Sequence, residues 1–248
     1  MRVAGIVVAA GLGERLGLDR PKALVPLAGR PILSHALEAL AASRVLGLLV
    51  VAYPPGHEGD CRRAAEGCTG ALPVRFVEGG MSRQDSVAHG LALVDESWDV
   101  VFVHDAARPL VPPACVVALA GAFPDARAAT LAIPASDTTV EALHGAIARP
   151  LDRDRLWLLQ TPQAFERSLL VSAHARAGAD ALSATDDTSL VLALGAEVRI
   201  VPGSPENRKI TTEDDLTFAE AVLARRARGG ADRLDAAAGP ASAGSLGP

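Results

Sequence analysis

Short apolar runs rich in β-branched residues recur along the chain, and segments with helical spacing separate them. The runs lack the alternation of polar and apolar residues that marks a half-exposed sheet, so they predict buried strands. Strands that alternate with helices indicate an α/β protein with a mainly parallel sheet and helices on both faces. The predicted strands are Val3–Ala9, Leu48–Ala52, Val74–Val77, Val100–Val103, Thr130–Ile133 and Val198–Val201.

Two stretches depart from this rhythm. Residues 134–157 contain DTTVE and then HGAIARPLDRDRL, which is too irregular for a helix and too long for a tight turn. We expect an extended arm there, with a hairpin as one form of it. From Gly229 onward Gly, Ala, Pro and Ser dominate, and such a composition buries little apolar surface. The sequence therefore predicts a folded domain over residues 1–228 and a disordered tail over 229–248.

Composition narrows the class of protein. Hydrophobic residues make up 49% of the 248 and charged residues 21%, which is typical of a globular domain. A net charge of −5 argues against a broad nucleic-acid surface, which needs a basic stripe. No apolar run approaches the ~18 residues of a membrane span, and three cysteines without a CxxC pair suit a reducing compartment. We expect a cytoplasmic protein that binds neither nucleic acid nor membranes.

A glycine-rich segment, AAGLGERLG, follows the first predicted strand at residues 9–17 and includes Ala10, Gly11 and Gly13. Ligands of open α/β sheets bind beyond the carboxyl ends of strands, where glycines let backbone N–H groups approach phosphates. The segment has neither the third glycine of a dinucleotide fingerprint nor the Gly-Lys-Ser/Thr element of a P-loop. It is a candidate triphosphate loop, with an ordinary strand-to-helix turn as the alternative.

Lysine is used at only two positions, although the chain has 24 basic residues. Lys22 and Lys209 both lie in loops that follow predicted strands, and compact ammonium charges at such places are typical of phosphate sites. The alternative is chance. Arg15 and Lys22 flank one loop, so they are candidates to neutralise the charge that develops on an α-phosphate as pyrophosphate leaves.

Two further segments follow buried strands. Asp105 comes two residues after the run Val100–Val103 and precedes Arg108, and a carboxylate at a strand end near a triphosphate loop is well placed for Mg²⁺. A surface ion pair is the alternative, and His104 beside it is interpreted as structural. In GGMSRQDS, Gly80 permits close backbone approach and Ser86 offers a hydroxyl to a base edge.

Taken together, these segments resemble the 2-C-methyl-D-erythritol 4-phosphate cytidylyltransferase family. The matching motifs run from residue 3 to residue 225, and HDAARP, TPQ and N-x-K-[IV]-T in this order are the most specific of them. The chain departs from the family pattern at Glu14 and Met81. The matches are AAGLGERLG with RPK, GGMSRQDSV, VHDAARP, DTTVE, LDRDRLW with QTPQAF, ATDDTSL and ENRKITTEDDL.

The resemblance implies a Rossmann-like nucleotidyltransferase fold with an extended β-arm. It also implies CTP and a phosphorylated polyol as substrates, Mg²⁺ as cofactor, and a homodimer in which the arm at 134–157 reaches the partner's active site. By residue match, Arg15 and Lys22 would act at the α-phosphate, and Arg153 and Lys209 would position the polyol phosphate. By the same match, the cytidine end would be held by Ala10, Gly11, Gly80 and Ser86. Asp105 would bind the metal, and Asp105 and Arg108 would lie between the metal and the sugar phosphate. Thr138 and Thr161 would contact substrate.

Attack by the polyol phosphate needs no protein nucleophile, because its second pKa of ~6 leaves it mostly a dianion at neutral pH. A ribitol 5-phosphate cytidylyltransferase shares most of these motifs and is the alternative within the enzyme class. A non-catalytic module that senses CTP is the alternative outside it.

Overall fold

The computed structural model describes residues 1–11, 13, 20–123, 125–180 and 184–237, with side chains to residue 228. Seven of the strands form one sheet in the order β11-β7-β10-β6-β1-β4-β5. All its neighbouring strands run parallel except β10, which is antiparallel to both β6 and β7. The strands are β1 (Val3–Val8), β2 (Pro26–Leu27), β3 (Arg30–Pro31), β4 (Leu48–Tyr53), β5 (Val74–Glu78), β6 (Val100–Asp105), β7 (Ala128–Pro134), β8 (Val140–Leu143), β9 (Ala146–Pro150), β10 (Trp157–Glu166) and β11 (Arg199–Pro202).

Helices cover both faces of this sheet, as the alternating pattern predicts. Along β1, Val3 and Val7 pack into the core shared with α1, α2 and α4, while Ala4 and Ile6 pack into the core shared with α3, α5 and α6. Successive side chains of a strand point to opposite faces, so a strand between two helical layers must be apolar throughout. The helices are α1 (Ile32–Ala42), α2 (Glu58–Ala65), α3 (Arg83–Leu91), α4 (Pro113–Ala120), α5 (Arg167–Ala179), α6 (Asp187–Ala193) and α7 (Glu213–Ala237).

Two of the six predicted strands are not buried. β5 and β11 form the two edges of the sheet, and most of their side chains are partly or fully exposed. An edge strand has a neighbour on one side only, so fewer helices cover it. The prediction of burial was wrong for these two, although both segments do form strands.

The sequence pattern missed β10. This strand is interrupted by Gln160, Thr161 and Gln163, three polar residues that are buried in the structure. Each makes hydrogen bonds to other parts of the chain, and these bonds compensate for the burial of a polar side chain. The chain passes through a cis peptide bond between Thr161 and Pro162.

The predicted arm is a hairpin. β8 and β9 pair antiparallel between the end of β7 and the start of β10, and every residue from Val140 to Pro150 is exposed. His144 and Gly145 turn the hairpin with positive φ angles of 50° and 79°, as tight hairpin turns require. The hairpin therefore contributes nothing to the hydrophobic core.

The boundary predicted at residue 228 needs correction. Helix α7 continues to Ala237, so residues 229–237 are helical, whereas 238–248 lie outside the described residues. The segment ADRLDAA after the paired glycines contains good helix formers, which continue a helix that already exists. Among the described residues, no helix combines the length and the apolar composition needed to cross a membrane.

Candidate active site

A cavity of about 440 Å³ opens where β1 and β6 end. Parallel strands bring their carboxyl ends to the same edge of the sheet, and the loops that follow them surround this cavity. The structure therefore brings together residues that are far apart in the chain. The predicted site residues that line the cavity are Ala10, Gly11, Gly13, Lys22, Gly80, Ser86, Asp105 and Lys209.

The described part of the glycine-rich segment, residues 9–11 and 13, lines one wall. The Lys22 N–H donates to the Gly11 carbonyl at 3.2 Å and so joins this wall to the short helix Lys22–Leu24. Gly13 has a φ of +77°, and a Cβ there would lie 3.0 Å from the Cβ of Lys22. A side chain at Gly13 would therefore displace the lysine. The Nζ atom of Lys22 donates to the carbonyl of Ile210 at 3.1 Å, and Arg15 lies outside the described residues.

The loop between β5 and α3 forms the opposite wall. A Cβ at Gly79 would lie 2.3 Å from the Cβ of Ala10, so only glycine allows the two walls to meet there. Ser82 caps α3 through a capping box with Asp85. The Ser86 hydroxyl donates to the Ser82 carbonyl at 2.9 Å and accepts from the Gly80 N–H at 3.1 Å. Ser86 thus holds the loop, and its contact with a base stays a prediction.

Asp105 lies at the floor of the cavity and is paired with two cations. Its Oδ1 accepts from Nε of Arg83 at 3.1 Å, and its Oδ2 accepts from Nζ of Lys209 at 2.8 Å. Burial alone would raise the pKa of the Asp105 carboxyl, but the charges of Arg83 and Lys209 lower it well below its usual range. The carboxylate is therefore ionised at neutral pH.

The loop that carries Lys209 is anchored by a buried asparagine. Nδ2 of Asn207 donates to the Thr161 carbonyl at 2.8 Å and to Oε1 of Gln160 at 3.2 Å. The N–H of Ile210 donates to the Ala107 carbonyl at 2.8 Å. These bonds fix both ends of the segment around Lys209, so its ammonium group reaches the cavity from a rigid support.

His104 is a neutral structural side chain, as predicted. Burial lowers the pKa of His104 to about 4. The Arg108 carbonyl can only accept, so Nε2 of His104 carries the proton and donates to it at 3.1 Å. Nδ1 of His104 then accepts from the Thr161 hydroxyl at 3.1 Å, and that hydroxyl accepts from the Asp105 N–H at 3.0 Å. This chain of hydrogen bonds fixes the backbone that carries Asp105.

Four other predicted residues do not line the cavity. Thr161 is buried behind it, and the Arg108 guanidinium donates to the carbonyls of Asn207 and Leu159 at 2.8 and 3.3 Å. Thr138 is exposed near the base of the arm, and Nη1 of Arg153 donates to the Ser136 carbonyl at 3.2 Å. Their contacts with substrate stay predictions.

The sequence reasoning missed Arg83. Its position offered a signal, because it is the first residue of α3, where the helix macrodipole disfavours a cation. An arginine at such a position needs nearby anions. The structure provides them in Asp105 and Asp187, which both accept hydrogen bonds from Arg83.

Comparison with known proteins matches this arrangement to one family. The family model for 2-C-methyl-D-erythritol 4-phosphate cytidylyltransferase matches residues 3–225. A relative of that name from Pelotomaculum thermopropionicum is 44% identical over 91% of this chain and 95% of its own, and one from Deinococcus radiodurans is 42% identical over 89% of each. The crystal structure of 2-C-methyl-D-erythritol 4-phosphate cytidylyltransferase from Thermus thermophilus is 37% identical, with a TM-score of 0.74 over 90% of this chain and 98% of that one.

The match covers nearly all of the described fold, and the loops that line the cavity lie within it. It confirms the nucleotidyltransferase fold and the enzyme class expected from the motifs. The chain therefore belongs to the 2-C-methyl-D-erythritol 4-phosphate cytidylyltransferase family.

Proposed function

We propose that the protein transfers CMP from CTP to 2-C-methyl-D-erythritol 4-phosphate in the non-mevalonate isoprenoid pathway. The products are pyrophosphate and 4-diphosphocytidyl-2-C-methyl-D-erythritol. The observation that carries the proposal is the cavity itself, where two glycine-rich walls meet both lysines of the chain. Glycine-rich loops after parallel strands suit a nucleotide, and two point charges suit a triphosphate and a second phosphate.

The reaction requires positioning and neutralisation of charge. The phosphate of the polyol is mostly a dianion at neutral pH and attacks the α-phosphorus of CTP without a general base. A new P–O bond forms as the bond to pyrophosphate breaks, and the pyrophosphate carries away the electron pair. We assign Lys22, together with Arg15, to the charge that develops at the α-phosphate, and Lys209, together with Arg153, to the incoming phosphate.

The residues present fit a single divalent cation. Among the described residues no group of three or more His, Cys, Asp or Glu could hold a metal. That part of the chain therefore has no metal site formed by protein ligands alone. Mg²⁺ commonly binds through one or two carboxylates together with substrate phosphates and water. Asp105 is ionised and lines the cavity, and its oxygens have lone pairs beyond those used by Arg83 and Lys209. When bound there, Mg²⁺ would neutralise charge on the triphosphate.

The arm supports a homodimer in which the two subunits exchange it. Thr138 and Arg153, both expected to contact substrate, lie outside the cavity of their own chain. The arm and the strand after it expose Leu143 to 62%, Ile147 to 72% and Leu158 to 54%. Exposed apolar side chains on a protruding hairpin are typical of an interface. We propose that each arm brings Arg153 to the cavity of the partner subunit.

Mixed dimers test the exchange of arms. Arg153→Ala and Lys22→Ala are each expected to have strongly reduced activity as homodimers. A verified heterodimer of the two is expected to recover about half of the wild-type activity, because one of its two sites then has an intact lysine and an intact arm. Heterodimers that stay inactive would rule out the exchange.

An assay of pyrophosphate release tests the reaction. With CTP and Mg²⁺, release is expected only after addition of 2-C-methyl-D-erythritol 4-phosphate. Ribitol 5-phosphate, which keeps a polyol phosphate, and unphosphorylated 2-C-methyl-D-erythritol, which keeps the carbon chain, serve as controls. Equal or faster pyrophosphate release with ribitol 5-phosphate would overturn the assignment of the substrate. CTP binding without pyrophosphate release under any condition would favour a sensing module.

We also infer a cytoplasmic location. All three cysteines are free thiols, and Cys61 is buried. Free thiols suit a reducing compartment.

A further inference from the structure

Arg83 is the central member of a row of buried and partly buried polar side chains that leads away from the cavity. Its Nε donates to Oδ1 of Asp105 at 3.1 Å, and its Nη1 donates to Oδ2 of Asp187 at 2.7 Å. Oδ1 of Asp187 accepts from Nε2 of His174 at 2.9 Å. The side chains of Asp187 and His174 are only 1% and 7% exposed. The row therefore joins β6 and α3 to α6 and α5.

If this row served only to stabilise the fold, apolar side chains would do so at a lower cost in desolvation. Burial alone would lower the pKa of Arg83, and the charges of Asp187 and Asp105 raise it instead. Nη2 of Arg83 is buried and donates to none of the described residues. Apolar side chains of similar volume avoid such desolvation and are often as stabilising as a buried ion pair. Buried charges at the edge of the cavity therefore point to a role in the orientation of Asp105.

The two cations that pair with Asp105 differ in how firmly their side chains are held. The Lys209 side chain is 39% exposed, and a single ammonium group imposes little direction on its partner. The Arg83 guanidinium is planar, and a carboxylate on each side holds it. A planar donor that is held at two points fixes the position of the oxygen it contacts. The orientation of Asp105 therefore depends on Arg83 more than on Lys209.

We propose that Arg83 is a positioning residue that holds the Asp105 carboxylate in one orientation toward the cavity, while Asp187 and His174 hold Arg83 from the other side. The inference rests on the proposed function, in which Asp105 contributes to the reaction. His174 is not among the described residues that line the cavity. An effect of His174 on the rate is therefore indirect, and its contact with Asp187 leads to Arg83.

His174→Met tests the proposal, because methionine fills a similar volume without an N–H group. We expect kcat to fall about 10-fold, as it does when supporting partners of a site are removed, with a change of less than about twofold in KM for CTP. The Nε–Hε signal of Arg83 in an NMR spectrum, assigned by its loss in Arg83→Lys, gives a readout independent of activity. Its exchange with water is expected to be about 10-fold faster in His174→Met.

Two controls separate positioning from stability. His174→Gln retains a side-chain N–H and is expected to restore kcat and the exchange rate to within about threefold of wild type. Leu169→Ala destabilises the same helix by loss of packing and is expected to lower the melting temperature without either effect. If His174→Met fails to fold, Asp187→Asn replaces it with the same readouts.

Unchanged kcat and exchange in a folded His174→Met protein would overturn the proposal, as would an equal loss of kcat in Leu169→Ala. If the wild-type protein releases no pyrophosphate from CTP, the proposed function fails. The exchange rates then decide by themselves whether His174 holds Arg83.

Discussion

Replacement of Lys22 with alanine is expected to lower kcat by about 100- to 1,000-fold, which is the usual effect of removing one group that stabilises charge in a transition state. The lysine lines the cavity beside the glycine-rich loop, and its ammonium group lies next to the carbonyl of Ile210. The side chain is only partly buried, so its loss should change the free energy of unfolding little. Steady-state pyrophosphate release and thermal unfolding measure the two effects.

Two further variants test whether the effect of Lys22 comes from its charge. Lys22→Met keeps the alkyl chain without the ammonium group, so it should be about as inactive as the alanine variant. Arg20→Ala removes a nearby exposed cation that does not line the cavity, and its kcat should stay within about twofold of wild type. An inactive Arg20→Ala protein, or an unfolded Lys22→Ala protein, would contradict the assignment.

Replacement of Asp105 with asparagine is expected to abolish measurable activity and to destabilise the fold. The carboxylate is buried and neutralises Arg83 and Lys209. Asparagine keeps the shape but leaves both cations without that charge, and breaking a buried pair in this way costs on the order of 3 kcal/mol. Urea unfolding measures the loss. Asp99→Asn is the matched control, because Asp99 is exposed and, among the described residues, its carboxylate pairs only with the chain's amino-terminal region.

The destabilisation by Asp105→Asn should depend on pH. In the folded protein the pKa of Asp105 lies below the ordinary value of 3.8, as burial is outweighed by Arg83 and Lys209. The carboxylate therefore stabilises the fold fully above that value, and this stabilisation is lost as the pH falls toward the folded pKa. The difference between wild type and variant should shrink below about pH 4. A difference that stays constant, or activity within tenfold of wild type, would contradict the role of Asp105.

Much of the site could be predicted because it is encoded locally. Gly11, Gly13, Gly80 and Asp105 each follow a predicted strand, and the topology of a parallel sheet brings such positions to one edge. The scarcity of lysine singled out the two cations that the structure places in the same cavity. Arg108 and Thr161 lie near this site and make hydrogen bonds with the backbone around it, which a motif match does not reveal.

The parts that were missed depend on contacts between distant segments. β10 escaped notice because Gln160, Thr161 and Gln163 resemble loop residues until their buried partners are known. Arg83 and Asp187 are 104 positions apart in the chain, and spacing carries no information about such a pair. β5 and β11 are exposed because they are the edge strands, and apolar runs in a sequence do not specify the order of strands in a sheet.

By itself, the sequence determined the α/β class, the glycine-rich segments that line the cavity and the identity of the cations, because hydrophobic period and glycine position act over a few residues. Only the tertiary structure decided which partner compensates each charge. It placed Lys209 and Arg83 on the two oxygens of Asp105, and it left the arm outside the hydrophobic core. The reason is physical: a buried charge needs a compensating partner nearby in space, and folding in three dimensions chooses that partner.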